Sequence, residues 1–179
     1  MVKSTLVACV LGSMTLLSYA QPPQPAVPAG PQTGAQAAPA APGNTMTPVQ
    51  RSDSAPQGTL KNPYKDTDAA VVAAGSKLYQ LYACSGCHGG TGGGGMCPPL
   101  TDGVWVYGGD DDTLFRLVAY GSQALQSKGY SRKAEENVVG AMPPMGQVVH
   151  TDDDLWRILA FMRANYHGAP ECKFGCGGK

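Results

Sequence analysis

Cys84-Ser85-Gly86-Cys87-His88 sets two thiols three positions apart, with an imidazole directly after the second. That spacing lets both sulfurs bond to the vinyl groups of one haem while the imidazole ligates its iron, the arrangement of c-type haem attachment. A redox dithiol of the same spacing usually belongs to a strand-helix-strand setting, and a zinc site needs a second ligand pair at matching spacing. Neither setting surrounds this motif.

A second iron ligand is sought downstream, in Gly140-Ala141-Met142-Pro143-Pro144-Met145-Gly146. A thioether is a soft ligand that stabilises ferrous iron, and adjacent proline holds such a loop without consuming backbone donors. Met142, followed directly by proline, is the expected sixth ligand. Met145 has the same chemistry three residues on, His150 would give a bis-histidine site of lower potential, and a vacant sixth position is the remaining alternative.

Between the two ligand regions lies a glycine run from Gly89 to Gly95, broken only by Thr91. It lacks the Gly-Lys-Ser or Gly-Lys-Thr ending of a phosphate loop and reads as a floppy surface turn beside the haem edge. Met96, in the same run, reads as incidental. Cys97-Pro98-Pro99-Leu100 then stiffens the chain. A proline carbonyl there, with Pro98 the candidate, is expected to accept from the second ring nitrogen of His88 and so fix the imidazole. Trp105 and Tyr107 are large rings in a small-residue loop and fit packing against a flat macrocycle, although ordinary core packing explains them nearly as well.

These residues need helices to position them. From Asp66 to Tyr82 apolar residues recur every three or four positions behind Asp66, Thr67 and Asp68 as candidate caps, which predicts a first helix leading into the motif. Gly75 in its middle costs about 1 kcal/mol against alanine, so another backbone is expected to cross there, the C-terminal helix being the natural partner. Asp110-Asp111-Asp112 opens a second helix through Leu114, Phe115, Leu117, Val118 and Tyr120. Its acidic start suits the helix dipole without a metal, with calcium as the alternative. Ser122 to Val139, with Lys128, Arg132, Lys133, Glu135 and Glu136, is polar and reads as surface. Thr151 caps a last helix whose stripe is Leu155, Ile158, Leu159, Met162 and Tyr166, widened by Trp156 and Phe161. Its acidic first turn, Asp152 to Asp154, reads as a cap before a docking site.

The chain has 179 residues, with thirteen basic and thirteen acidic side chains, so nothing argues for nucleic acid or an anionic membrane surface. Residues 1–20 read as an export signal: Lys3, an apolar run from Leu6 to Leu17 too short to span a bilayer, and Ser18-Tyr19-Ala20 at the cut. A lipidation box at Leu6-Val7-Ala8-Cys9 is the rival, with little chain ahead of it. Export places the protein in the periplasm, with no membrane span in the mature chain. Residues 21–62, rich in Pro, Ala, Gln, Gly and Ser, read as a disordered linker, and residues 63–179 as one haem-carrying domain.

Of six cysteines, Cys9 leaves with the signal, and Cys84 and Cys87 are taken by the haem. Cys97, Cys172 and Cys176 remain, an odd number in an oxidising compartment. Cys97 is expected to join Cys172 or Cys176. A local Cys172 to Cys176 bridge and a three-thiol metal site are the alternatives.

Over about residues 64 to 168 the sequence resembles the monohaem class I cytochrome c family: a helix, Cys84-Ser85-Gly86-Cys87-His88, Pro98 before Leu100, a middle helix, a Met-Pro loop and a final amphipathic helix. Leu100-Thr101-Asp102, Trp105, Tyr107-Gly108-Gly109, Leu114-Phe115 and Met142-Pro143-Pro144 are similar to the cytochrome cL group. Two departures stand out: Gly75 and Tyr79 lie one residue further from the first haem cysteine than is usual, and Cys97 replaces a glycine. The resemblance implies an all-α class I fold with crossing N- and C-terminal helices and one covalent haem c. It implies a one-electron carrier and not an enzyme. As a cytochrome cL relative, the protein would accept electrons from a pyrroloquinoline quinone-dependent methanol or alcohol dehydrogenase, including the lanthanide-dependent kind, and pass them to a cytochrome or oxidase. The alternatives are a general respiratory cytochrome c and a haem enzyme or sensor with an open sixth site.

Overall fold

A computed structural model of the chain describes residues 46–136 and 139–175. The expected export signal, residues 21–45 of the expected linker, and Cys176 lie outside the described residues. The elements in order are α1 (Pro48–Ser54), α2 (Ala69–Leu81), α3 (Cys84–His88), α4 (Asp111–Ser127), α5 (Asp152–Ala164) and a single 3-10 turn at Pro170–Cys172. The described residues contain no strand, so the architecture is all-α as expected.

Of the three candidate caps before α2, Asp68 does the capping, its carboxylate accepting from the amides of Ala70 and Val71. A Cβ on Gly75 would overlap the Arg157 carbonyl and the Phe161 Cβ, so α2 and α5 cross backbone against backbone at that glycine. One turn later Tyr79 is fully buried, its ring centroid 5.3 Å from that of Phe161. The unusual placing of Gly75 and Tyr79 relative to the motif thus carries the helix crossing intact.

In α4 the Asp110 side chain accepts from the Thr113 amide. The helix continues past Gly121 to Ser127, where a polar surface segment was expected. Gly121 joins the two parts with φ of 74°, a left-handed conformation that favours glycine. That non-helical joint hides the second part from a periodicity reading.

The expectation of a disordered linker fails for residues 46–62. Thr47 and Gln50 form a capping box at the start of α1, with Pro48 in its first turn. Arg51 Nε donates to Asp152 at 2.7 Å, and the Asp152 amide donates to the Met46 carbonyl at 2.8 Å. Arg116 reaches from α4 to the carbonyls of Ser52, Ala55 and Pro56 at 2.6–3.0 Å while its Nε donates to Asp112 at 2.9 Å. Asp112 also accepts from the Leu60 amide at 3.1 Å. Polar anchoring therefore adds to the few apolar contacts of this stretch, Leu60 in the main core and Val49 against a smaller cluster.

Both acidic triplets are consumed the same way. Asp111 takes Arg163 at 3.0 Å and the Asn62 amide at 3.1 Å. Asp153 accepts from Arg157 at 2.8 Å and from the Tyr64 hydroxyl, and Asp154 accepts from Tyr82 at 2.8 Å. These partners occupy the carboxylates of both triplets, and no group of three or more His, Cys, Asp or Glu placed to hold a metal ion occurs among the described residues. Because residues 46–62 lie over its second face, α5 is buried all round from Leu155 to Arg163 instead of along one stripe.

The cysteine expectation is also corrected. Cys97 carries a free thiol, whereas Cys172 is disulfide-bonded. The Cys97 backbone is instead paired with Cys87, its amide donating to the Cys87 carbonyl at 3.0 Å, which holds it beside the motif.

Candidate haem site

The chain leaves α2 through Ala83, whose left-handed φ of 57° turns it sharply into the single-turn helix α3. Within α3, Cys87 and His88 follow Cys84 by three and four positions, so a helical turn brings all three to one side. The glycine run is not floppy. Gly94 N–H donates to the His88 carbonyl at 2.8 Å, and Leu100 N–H to the Gly92 carbonyl at 2.7 Å. These bonds fold the run back beneath the motif and deliver Pro98 to His88. The His88 Nδ1 lies 2.8 Å from the Pro98 carbonyl, which can only accept. Nδ1 therefore carries the hydrogen, and Nε2 is the nitrogen left for a metal.

The opposite wall comes from the methionine loop, stitched to α4. The Met145 and Gly146 amides donate to the Val118 and Ala119 carbonyls at 2.9 and 3.1 Å, and Ser122 binds the Met142 backbone. A side chain on Gly121 would collide with this loop at Met142, Pro143 and Pro144, so glycine permits the close approach.

Between the walls is a cavity of about 500 Å³ lined by Cys84, Cys87, His88, Pro98, Trp105, Met142 and Met145. Such a volume lies within the range of roughly 300–1,000 Å³ usual for small-molecule sites. His150 does not line it. Its ring packs edge-on against Tyr82 with centroids 5.6 Å apart, and its amide donates to the Tyr82 hydroxyl at 3.3 Å. Burial and the hydrogen bond to Asp154 push that phenol up to about 12.

Trp105 lines the cavity and is held from behind. Its Nε1–H donates to the Cys172 carbonyl at 2.9 Å, and its ring stacks on Tyr166 at 6.0 Å with an interplanar angle of 8°. The Arg163 guanidinium lies 5.3 Å from the same ring. The C-terminal segment thus fixes this wall through Trp105.

Burial pushes the Cys84 thiol up, and it pushes the Cys97 thiol up with help from a hydrogen bond to Cys87. An attacking thiol needs the reverse, a lowered pKa, so Cys84 does not have the setting of a nucleophilic thiolate. The donor set fits haem c instead: two thiols, an imidazole with one nitrogen tied off, and a thioether, all on one cavity. Arg132, Glu136 and Ser122, read as surface from their polar setting, line the same cavity. Only tertiary folding carries them there, so no sequence periodicity could have marked them.

Helices crossing at a glycine, a Cys-x-x-Cys-His turn and a facing methionine loop define a c-type cytochrome. Residues 70–162 match the family described as cytochrome C oxidase, cbb3-type, subunit III, and the chain belongs to that family. Among curated relatives, the cbb3-type cytochrome c oxidase subunit CcoP of Cereibacter sphaeroides is 34% identical over 77 residues, covering 41% of this chain and 26% of that protein. CcoP of Rubrivivax gelatinosus is 29% identical over 104 residues, or 58% of this chain and 28% of the relative. The chain thus spans about a quarter of the length of these relatives. A solved structure of cytochrome CL from Methylophaga aminisulfidivorans is 26% identical, covers 60% of this chain and 61% of its own, and superposes with a TM-score of 0.45. The family match and the Cys-x-x-Cys-His turn mark residues 70–162 as a c-type cytochrome domain, which carries covalently bound haem c.

Proposed function

We propose that Cys84 and Cys87 form the thioether bonds to the haem, that His88 and Met142 are its axial ligands, and that the chain carries electrons from a pyrroloquinoline quinone-dependent alcohol dehydrogenase to a downstream cytochrome or oxidase. The observation that carries the ligand assignment is one cavity lined by both thiols, His88, Pro98 and Met142 together. When bound, the haem supplies one-electron chemistry, its iron alternating between ferric and ferrous. His88 would bind through Nε2 while Pro98 holds the ring in orientation. Both methionines line the cavity; Met142 is favoured because proline follows it directly and its backbone is bonded twice to Ser122, whereas Met145 also packs against the main hydrophobic core. Trp105 would pack against the macrocycle. With His88 and Met142 both holding the iron, no coordination position would be left for a substrate.

The dehydrogenase donor is supported by the cytochrome cL-like residues around Trp105, Tyr107 and Met142. The family match favours a second reading, in which the chain is a haem module that delivers electrons to a terminal oxidase. In both readings residues 1–20 direct export to the periplasm, with cleavage near Ala20, and the haem-carrying domain starts near residue 46.

Purified holoprotein mixed with a quinone-dependent alcohol dehydrogenase and its alcohol is expected to become ferrous. Absence of reduction, together with rapid oxidation of the ferrous protein by a cbb3-type oxidase, selects the second reading. A colourless protein after expression with haem-ligation machinery overturns both.

A further inference from the structure

Glu136 is half-buried and lines the same cavity as the candidate ligands. Its Oε2 atom is buried and has no hydrogen-bond partner among the described residues. The nearby Arg132 does not supply one, since its Nη2 points to the Glu136 backbone carbonyl at 3.4 Å. A buried carboxylate oxygen without a donor is costly to keep charged, and the cheaper state holds a proton.

The surrounding charges are few. Burial pushes the Glu136 carboxyl up, the Asp102 carboxylate from the loop before Trp105 adds to this, and the Arg132 guanidinium opposes it. Lys133 directs its ammonium toward Gly108, and the Tyr107 hydroxyl accepts from Gln126 at 2.7 Å.

We infer that Glu136 is the proton-exchanging residue of this electron-transfer site, binding a proton at Oε2 as the iron gains an electron and releasing it on reoxidation. The inference rests on the haem reading of the cavity. An electron arriving at the iron adds one negative charge to a space of low dielectric, and a carboxyl facing that space holds its proton more tightly. One electron enters from the redox donor, one proton passes from solvent to Glu136, and the net charge of the cavity is unchanged. Reoxidation returns both.

The test is the midpoint potential of the holoprotein from mildly acidic to mildly alkaline pH. The wild type is expected to show two plateaus joined by a limb on which the potential falls as pH rises, by at most ~59 mV per tenfold drop in proton activity. Glu136→Gln is expected to lose the limb and to lie above the alkaline plateau of the wild type. Asp102→Asn keeps the limb but moves it to lower pH, because a charge favouring the protonated form is gone. In reduced-minus-oxidised infrared difference spectra, a protonated-carboxyl band grows in for the wild type and is missing in Glu136→Gln. A coloured Glu136→Gln protein that keeps both the limb and the band overturns this inference alone. A wild-type protein without a haem spectrum overturns the ligand reading and this inference with it.

Discussion

Met142 and Ser122 bind each other twice, the Met142 amide donating to the Ser122 hydroxyl at 3.1 Å and the Ser122 amide to the Met142 carbonyl at 3.0 Å. Ser122 is buried and follows the Gly121 joint in α4, so the bend in that helix and the position of the methionine are one structural unit. Met142→Ala is expected to abolish the sulfur-to-iron absorption band of the ferric protein, while Met145→Ala and His150→Ala keep it. Ser122→Ala removes one of the two bonds, costs about 1 kcal/mol of stability, and weakens the band without abolishing it. Absorption spectra and denaturant titration read both effects.

At the helix crossing a single methyl group is enough to force the backbones apart. Gly75→Ala places that methyl against the Arg157 carbonyl, with no flexible side chain to move aside. Overpacking of a tight core typically costs about 1–3 kcal/mol, and a clash with backbone belongs at or above the top of that range. Thermal unfolding of the holoprotein should show a markedly lower midpoint.

The Asp112–Arg116 pair ties residues 46–62 to the body, and its side chains are only 2% and 6% exposed. Arg116→Ala leaves a buried carboxylate uncompensated, a change that costs roughly 3–5 kcal/mol. Burial pushes Asp112 up, but the Arg116 guanidinium and bonds from the Gly58 and Leu60 amides and the Tyr130 hydroxyl outweigh it and hold the carboxyl below the usual range. A folded-state pKa below the unfolded value means that this contribution is complete above about pH 4 and is lost as pH falls through the folded value. Asp112→Asn should therefore be less stable at neutral pH and flatter in its acid limb, as chemical denaturation across pH will show.

Thiol labelling separates the cysteines. Alkylation of the unfolded, unreduced holoprotein is expected to modify Cys97 and to spare Cys172, which becomes reactive only after reduction. Cys172→Ser should loosen the segment that receives the Trp105 indole hydrogen and change Trp105 fluorescence, while the haem stays attached.

The motif, the crossing at Gly75, the Thr151 cap and the bond from His88 to the Pro98 carbonyl were legible because each depends on near neighbours or on one residue type with one steric property. Residues 46–62 were not. Their composition has few large apolar side chains, and much of what orders them is a guanidinium and a set of carboxylates distant in sequence. The helix beyond Gly121 was hidden for a different reason, since a left-handed glycine in mid-sequence reads as a stop. Glu136 sits among other charges in the chain, and only its position on the cavity distinguishes it. The Cys97 expectation failed because an odd number of thiols constrains pairing without choosing it.

Tension applied to the chain from its N-terminal side would meet Met46 and Arg51 first, and both are fastened to Asp152 at the start of α5. Load would enter the start of α5 first and reach α2, from which the Cys84–His88 turn hangs, through the crossing at Gly75. A pull from that side would therefore be shared by both helices of the crossing before it reached the Cys84–His88 turn.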